Sequence, residues 1–280
     1  MDDTRTGWGL LAPAFLWLAT FFTLPLLLMV AVSLWTRDKG EIVRTWDLGN
    51  YATFFEKSYF LQGLVNSLEI TALVTVISVL LAYPLAWIIA EVVPARFRRL
   101  ALILAILPFW TSYVVRSYSW LLVLGKGGVV NQTLLSIGLI AEPLEIASTR
   151  AATVIGFVHF FTMLLTLTIY ANMVQLPPSY RRAAADLGAS GFQTFRHIIL
   201  PLTLPGIMVG AFLTFVLCIG DYITPQILGG NNELTLPQII MLQIGRRADF
   251  PMASAIALIL MAVVTLAYLA CARWLRLERI

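Results

Sequence analysis

The run IILPLTLPGIMVGAFLTFVLCIG, from Ile198 to Gly220, carries no charged side chain, and its reading decides the fold class. A helix needs about 20 apolar residues to cross the hydrocarbon core of a bilayer, and this run is long enough. Working outward, uncharged runs of similar length recur at Trp8–Trp35, Ile70–Ala90, Ala151–Tyr180 and Pro251–Ala272. Another, Leu100–Leu124, is interrupted once, by Arg116. Six transmembrane helices follow, at about 8–35, 64–92, 100–124, 151–175, 202–224 and 251–273. Composition agrees: only 12% of the 280 residues are charged, against about 25% in a soluble domain. With 59% hydrophobic residues and a mean hydropathy of +0.85, no soluble core of this length would hide the apolar surface. Two cysteines and no low-complexity tract exclude a disulfide scaffold, collagen and disorder. The expectation is an all-α, polytopic membrane protein, one transmembrane domain over residues 1–280.

The first run is not a cleaved signal peptide, because its leading residues are acidic and no small-x-small site follows. It reads as an uncleaved helix with kinks at Pro13 and Pro25. Six spans place both termini on one side. The loops on that side hold ten Lys/Arg (Arg5, Arg96, Arg98, Arg99, Arg181, Arg182, Arg196, Arg273, Arg276, Arg279) against five acids. The opposite loops hold eight of each sign. Retention of Lys and Arg on the cytoplasmic side makes both termini cytoplasmic. The net charge of +4 thus belongs to topology, and no basic stripe suggests nucleic acid as a partner.

Chemistry is hard to find. There is no GxxxxGK[ST] loop, no HExxH, no paired Cys motif and no GxSxG. Gly125-Lys126-Gly127-Gly128 has the wrong spacing for a phosphate loop. Cys218 and Cys271 read as packing residues, and His159 as a hydrogen-bonded interior residue. The chain reads as a non-enzyme, with no catalytic residue and no metal site, so uphill transport needs energy from elsewhere.

The cytoplasmic connector between the fourth and fifth spans, residues 176–200, has a legible shape. Pro177 and Pro178 stop the preceding helix, and Ser179 is placed to cap a short new one. Arg181 to Leu187 is rich in alanine, and Gly188 ends it by adopting φ > 0. A second short helix begins near Gly191 and runs until Pro201 opens the next span. Two short helices meeting at a glycine make a compact knob that can be pushed as one body.

This connector resembles the cytoplasmic loop of the permease subunits of binding-protein-dependent ABC importers. That loop carries Glu-Ala-Ala, three residues, Gly, nine residues, then Ile-x-Leu-Pro. Here Ala183 and Ala184 take the alanine positions, Gly188 the glycine, and Ile198, Leu200 and Pro201 the tail; Arg182 stands at the glutamate. The resemblance extends over nearly the whole chain and is nearest to the spermidine/putrescine-type permeases. It is carried by Leu107-Pro108-Phe109-Trp110-Thr111-Ser112-Tyr113 with Arg116, by Asp186-Leu187-Gly188-Ala189-Ser190, by Gln193-Thr194-Phe195, and by Pro201 to Ile207. Gly229-Gly230-Asn231 and Asp249-Phe250-Pro251 fit as well. The resemblance implies a second permease subunit, commonly a different chain, and two cytoplasmic ATPases that hold the ATP and Mg; this chain binds no cofactor. It also implies a periplasmic or lipid-anchored solute-binding protein. Residues 176–200, with Arg182, Ala183, Ala184, Asp186, Leu187 and Gly188 foremost, would couple to the ATPases. The implied solute is small and cationic, of the polyamine class, with opines and amino-acid derivatives as alternatives. A gradient-driven carrier is the competing class, but no convincing internal repeat supports it.

Three charges fall within the spans: Glu69, Arg116 and Asp221. Arg116 sits about 24 Å along a helix entering at Leu100. Asp221 reaches a similar depth, and Glu69 lies near the outer end of its span. Isolated charges there are costly unless they pair, snorkel or meet water. Two accounts stand: Arg116 pairs with one carboxylate for structure, or one carboxylate stays free to attract a cationic amine. Trp110, Tyr113, Tyr118 and Tyr222 supply aromatic faces for an ammonium group, whereas Trp120 reads as an interface residue.

Overall fold

The computed structural model describes residues 11–230 and 233–275. The chain forms twelve helices in this description: α1 (Leu11–Ser33), α2 (Gly49–Glu56), α3 (Ser58–Val92), α4 (Ala95–Ile106), α5 (Tyr113–Leu124) and α6 (Val129–Ser136), then α7 (Arg150–Val174), α8 (Ser179–Asp186), α9 (Gly191–Ile219), α10 (Ile223–Leu228), α11 (Leu236–Gly245) and α12 (Phe250–Leu275). A small antiparallel hairpin, β1 (Thr36–Asp38) and β2 (Glu41–Val43), turns through Lys39 and Gly40, both at positive φ. By contacts the chain groups into two compact units: Met1–Leu64 with Leu236–Val263, and Val65–Thr235 with Val264–Ile280. Arg5, Arg273, Arg276 and Arg279, which enter the cytoplasmic-termini expectation, lie outside the described side chains.

Among the described residues, five helices are long and apolar enough to cross a membrane: α1, α3, α7, α9 and α12. The sixth expected span, 100–124, is broken. Residues Ala95–Trp110 and Tyr113–Ser136 meet at 89°, so six spans result only if this bent pair is one. The reason is local. Pro108 cannot donate to the helix, and Leu107–Trp110 tightens into a 3-10 turn before Thr111 and Ser112 turn extended. The other prolines act more gently. In α1 and α9 a π-helical turn (Ala19–Thr23, Phe195–Ile199) closes two residues before Pro25 and Pro201, and both helices continue. Pro13 also lies inside the continuous α1. α3 begins at Ser58, earlier than residue 64.

In the first unit, Asn50 donates to the carbonyls of Ser33 (2.8 Å) and Trp35 (2.7 Å), closing the C-terminal end of α1 on α2. Asp249 caps α12 by accepting from the Met252 amide at 3.1 Å.

In the second unit, α7 packs on α9, α4 and α5, and α10 packs on α5 and α7. Ala82, Ala86 and Ala90, four residues apart on α3, form one small-residue stripe buried with Leu165, Ile169 and Met173 of α7 and Ile207 of α9. Lipid tails are as apolar as these side chains, so close packing rather than expulsion of water holds the helices together. Gly206 and Gly210 provide the closest approach: a Cβ would lie 2.3 Å from Asn172 Nδ2 at Gly206, and 2.9 Å from Leu165 Cδ2 at Gly210. This is a Gly-x-x-x-Gly contact of α9 on α7. Replacing Gly210 with Leu should lower stability by about 1–3 kcal/mol through overpacking. A lower thermal midpoint in detergent checks this, with Gly191→Ala, which meets nothing within 4 Å, as the unchanged control.

Candidate functional sites: the elbow and the charges at helix breaks

The connector 176–200 folds as an elbow built from two caps. α8 ends in a Schellman motif: the Gly188 amide donates to the Ala185 carbonyl (2.9 Å) and the Ala189 amide to the Ala184 carbonyl (3.0 Å). Gly188 sits at φ +75°, the conformation expected of it. The next residues form a capping box. Ser190 Oγ accepts from the Gln193 amide at 3.3 Å, and Gln193 Oε1 accepts from the Ser190 amide at 2.8 Å. That signal, Ser-x-x-Gln, stood in the sequence unread.

Two details differ from expectation. Ser179 lies in the first turn of α8, with Pro178 at the cap position and no side-chain cap. No separate short helix ends at Pro201: Ile198, Leu200 and Pro201 belong to the continuous α9, because the π turn absorbs the proline. The elbow is therefore in series with a spanning helix. Ala184 is the buried residue of α8, whereas Arg182, Ala183, Asp186 and Gly188 are exposed and Leu187 is 89% exposed.

The three intramembrane charges have separate fates. Glu69 accepts an ion pair at 2.6 Å from Arg150, the first residue of α7. Arg116 pairs with neither carboxylate. Its guanidinium donates to the Pro108 carbonyl (3.0 Å) and lies over the rings of Phe160 (4.8 Å) and Tyr113 (5.5 Å). Phe109 stacks on Phe160 from the other half of the break, 5.3 Å away. Arg116 is 7% exposed, and it closes the carbonyl end of the first half-span, where a helix carries partial negative charge. Arg116 does not stand at the depth that an unbroken helix from Leu100 would give it, because the segment bends by 89° between Trp110 and Tyr113.

Asp221 lies in the gap between α9 and α10. Its Oδ1 accepts from the Ile223 amide (2.7 Å), and its Oδ2 from Thr224 Oγ1 (3.2 Å) and the Tyr113 hydroxyl. All three donors are neutral. Among the described residues no basic side chain lies within ion-pair distance of Asp221. Among the described residues, Asp221 is thus the intramembrane carboxylate without a basic partner.

The expected aromatic cluster does not assemble as one surface. Tyr113 points to Asp221 and gives its ring face to Arg116, while Trp110 and Tyr118 are 80% and 54% exposed and Tyr222 is 37% exposed. Trp120 does more than sit at an interface: its Nε1 donates to His159 Nδ1 at 3.0 Å, which gives His159 an interior hydrogen bond. Sequence reasoning missed Arg150, which is far in sequence from Glu69, the carbonyl of Pro108, which reaches Arg116 only because the chain bends between them, and Thr224, whose place three residues after Asp221 was a local signal left unused. Pro108 followed by the polar pair Thr111-Ser112 was the available sign of the break.

Long apolar helices, polar side chains gathered where those helices break, and a rigid elbow in series with one of them make the membrane part of a solute transporter. Comparison with known proteins makes the class specific. The family described as "Binding-protein-dependent transport system inner membrane component" matches residues 9–276, and the chain belongs to it. It is an inner-membrane permease subunit of an ABC importer, a transport subunit rather than an enzyme. The spermidine/putrescine transport system permease protein PotB of Salmonella typhimurium (strain SL1344) is 35% identical over 251 residues, 89% of this chain and 87% of that protein. PotB of Escherichia coli (strain K12) is 34% identical over 251 residues, 89% and 90%. The E. coli inner membrane ABC transporter permease protein YdcU is 34% identical over 236 residues, 80% and 74%. In fold, the chain is similar to a bacterial ABC transporter importing alginate, with a TM-score of 0.78 at 19% identity, covering 98% and 97% of the two chains.

Removing the Arg116 guanidinium should open the break. Arg116→Met is expected to lower the stability of the purified permease by about 2–3 kcal/mol, through the lost charged hydrogen bond and ring contacts. Arg116→Lys should recover only part of it, because an ammonium has no planar face to stack. Thermal unfolding of the three proteins side by side is the measurement.

Proposed function

We propose that this permease imports a small cationic solute of the polyamine class, with ATP hydrolysed by separate subunits docked on the elbow. Two ATPases would hold the ATP and Mg; a second permease, a different chain, would complete the pathway; and a periplasmic or lipid-anchored protein would deliver the solute. Both termini and residues 176–200 then face the cytoplasm, in keeping with the loop charges. Membrane lipid surrounds the spans, and nucleic acid has no part.

One observation carries the choice of a cation: the unneutralised carboxylate of Asp221. A buried or half-buried negative charge without a basic partner lowers the energy of a passing ammonium group. The names of the 34–35% identical relatives support polyamine among the possible cations. Glu69, already paired with Arg150, and Tyr113, already under Arg116, contribute less to attracting the solute than the sequence suggests. ATP-driven closure of the ATPases would displace the elbow and with it α9, shifting the bundle between two packings.

Asp221→Asn tests the cation reading. In membrane vesicles with all subunits, uptake of labelled spermidine or putrescine should fall about tenfold, the worth of one charge-assisted contact. Co-purification with the partner subunits should be unchanged. Undiminished uptake removes Asp221 from the pathway. Purification without any accompanying ATPase would overturn the wider reading.

A further inference from the structure

α3 carries two stripes on neighbouring faces. Ala82, Ala86 and Ala90 face the bundle. One residue further on each turn stand Tyr83, Trp87 and Glu91, again four apart, and this second stripe meets the elbow. Phe195, at the start of the π turn of α9, places its ring edge-on to both Tyr83 (5.9 Å, 70°) and Trp87 (5.3 Å, 87°). Arg181, in the first turn of α8, donates through Nη1 and Nη2 to the two carboxylate oxygens of Glu91. Both arms of the elbow, one on each side of Gly188, are therefore fastened to a single helix face.

The charges are informative because each is on the wrong end of its own helix. Glu91 lies in the last turn of α3, where the helix end is partially negative, and Arg181 lies in the first turn of α8, where it is partially positive. Neither placement favours the helix that bears it. What offsets both is the two-pronged pair across the elements, with the Glu91 side chain only 18% exposed. The neighbouring Arg182 is exposed, so the two arginines divide the work: one grips inward and the other is left to face outward.

We infer that Glu91 and Arg181 are a positioning pair that carries displacement of the elbow sideways into α3, so that a push on α8 moves two spanning helices, α9 through the chain and α3 through the ion pair. Neither residue touches solute or nucleotide. The inference rests on the reading that ATPases drive the elbow, and it predicts loss of coupling rather than loss of hydrolysis.

The test uses the complete importer, both permeases, the ATPases and the solute-binding protein, reconstituted in liposomes. Glu91→Gln and Arg181→Gln should each reduce the solute imported per ATP hydrolysed by about fivefold, while hydrolysis changes less than about twofold. The exchange E91R with R181E should recover at least about half of the lost ratio, as expected for residues coupled through one contact. An unaltered ratio in both single variants overturns the inference. So does loss of the assembled complex, or a parallel fall in hydrolysis and uptake that the exchange does not repair, since either marks a merely structural pair. If the unsubstituted importer itself shows no ATP-dependent uptake, the proposed function fails; if it does and the variants match it, only the role of Glu91 and Arg181 fails.

Discussion

Hydrocarbon offers no hydrogen-bond partner, so each backbone amide and carbonyl inside it must be satisfied by the protein. Most of this chain meets that requirement by being helical. The interesting chemistry is at the places where the helices stop: Leu107–Ser112 between α4 and α5, and Gly220–Tyr222 between α9 and α10. Arg116 answers the free carbonyl end at the first break, and Asp221 answers the free amide end at the second. Tyr113 touches both, through its ring on one side and its hydroxyl on the other. Two of the three intramembrane charges thus belong to the breaks, whereas Glu69 stands within the continuous α3 and pairs with Arg150; among the described residues Asp221 receives only neutral donors.

The same requirement shapes the elbow. α8 is short, so a large share of its amides and carbonyls are terminal. The Schellman motif at Gly188 and the capping box at Ser190 satisfy them back to back, within a few residues. That leaves little freedom between the arms, and a body with little internal freedom transmits displacement well. In the proposed mechanism, the aromatic contacts of Phe195 and the pair of Arg181 with Glu91 would decide which helices receive it.

Packing in the second unit depends on small residues in the same spirit. The alanine stripe of α3 and the Gly206–Gly210 contact of α9 let backbones approach α7, where Thr166 and Thr203 fold their hydroxyls back onto their own helices. A transporter needs two packings of similar energy, and interfaces made by many weak contacts between small residues are suited to that.

How much was legible differs by residue. Gly188 was readable because only one backbone conformation ends α8 that way, and the resemblance of Ala183, Ala184, Ile198, Leu200 and Pro201 to the permease loop is a matter of spacing alone. The uncharged runs were readable because the length of a membrane span is set by the bilayer, outside the protein. The distant partners of Arg116, Glu69 and Asp221 were not: the carbonyl of Pro108, the guanidinium of Arg150 and the hydroxyl of Tyr113 come together through folding, and charge placement alone could not choose among them. By itself, then, the sequence determined an all-helical membrane permease with a jointed loop, since periodicity, hydropathy and spacing act locally along the chain. Only the tertiary structure decided which carboxylate finds a basic partner, where the third span breaks, and that Glu91 holds the elbow, because those depend on which helix faces meet.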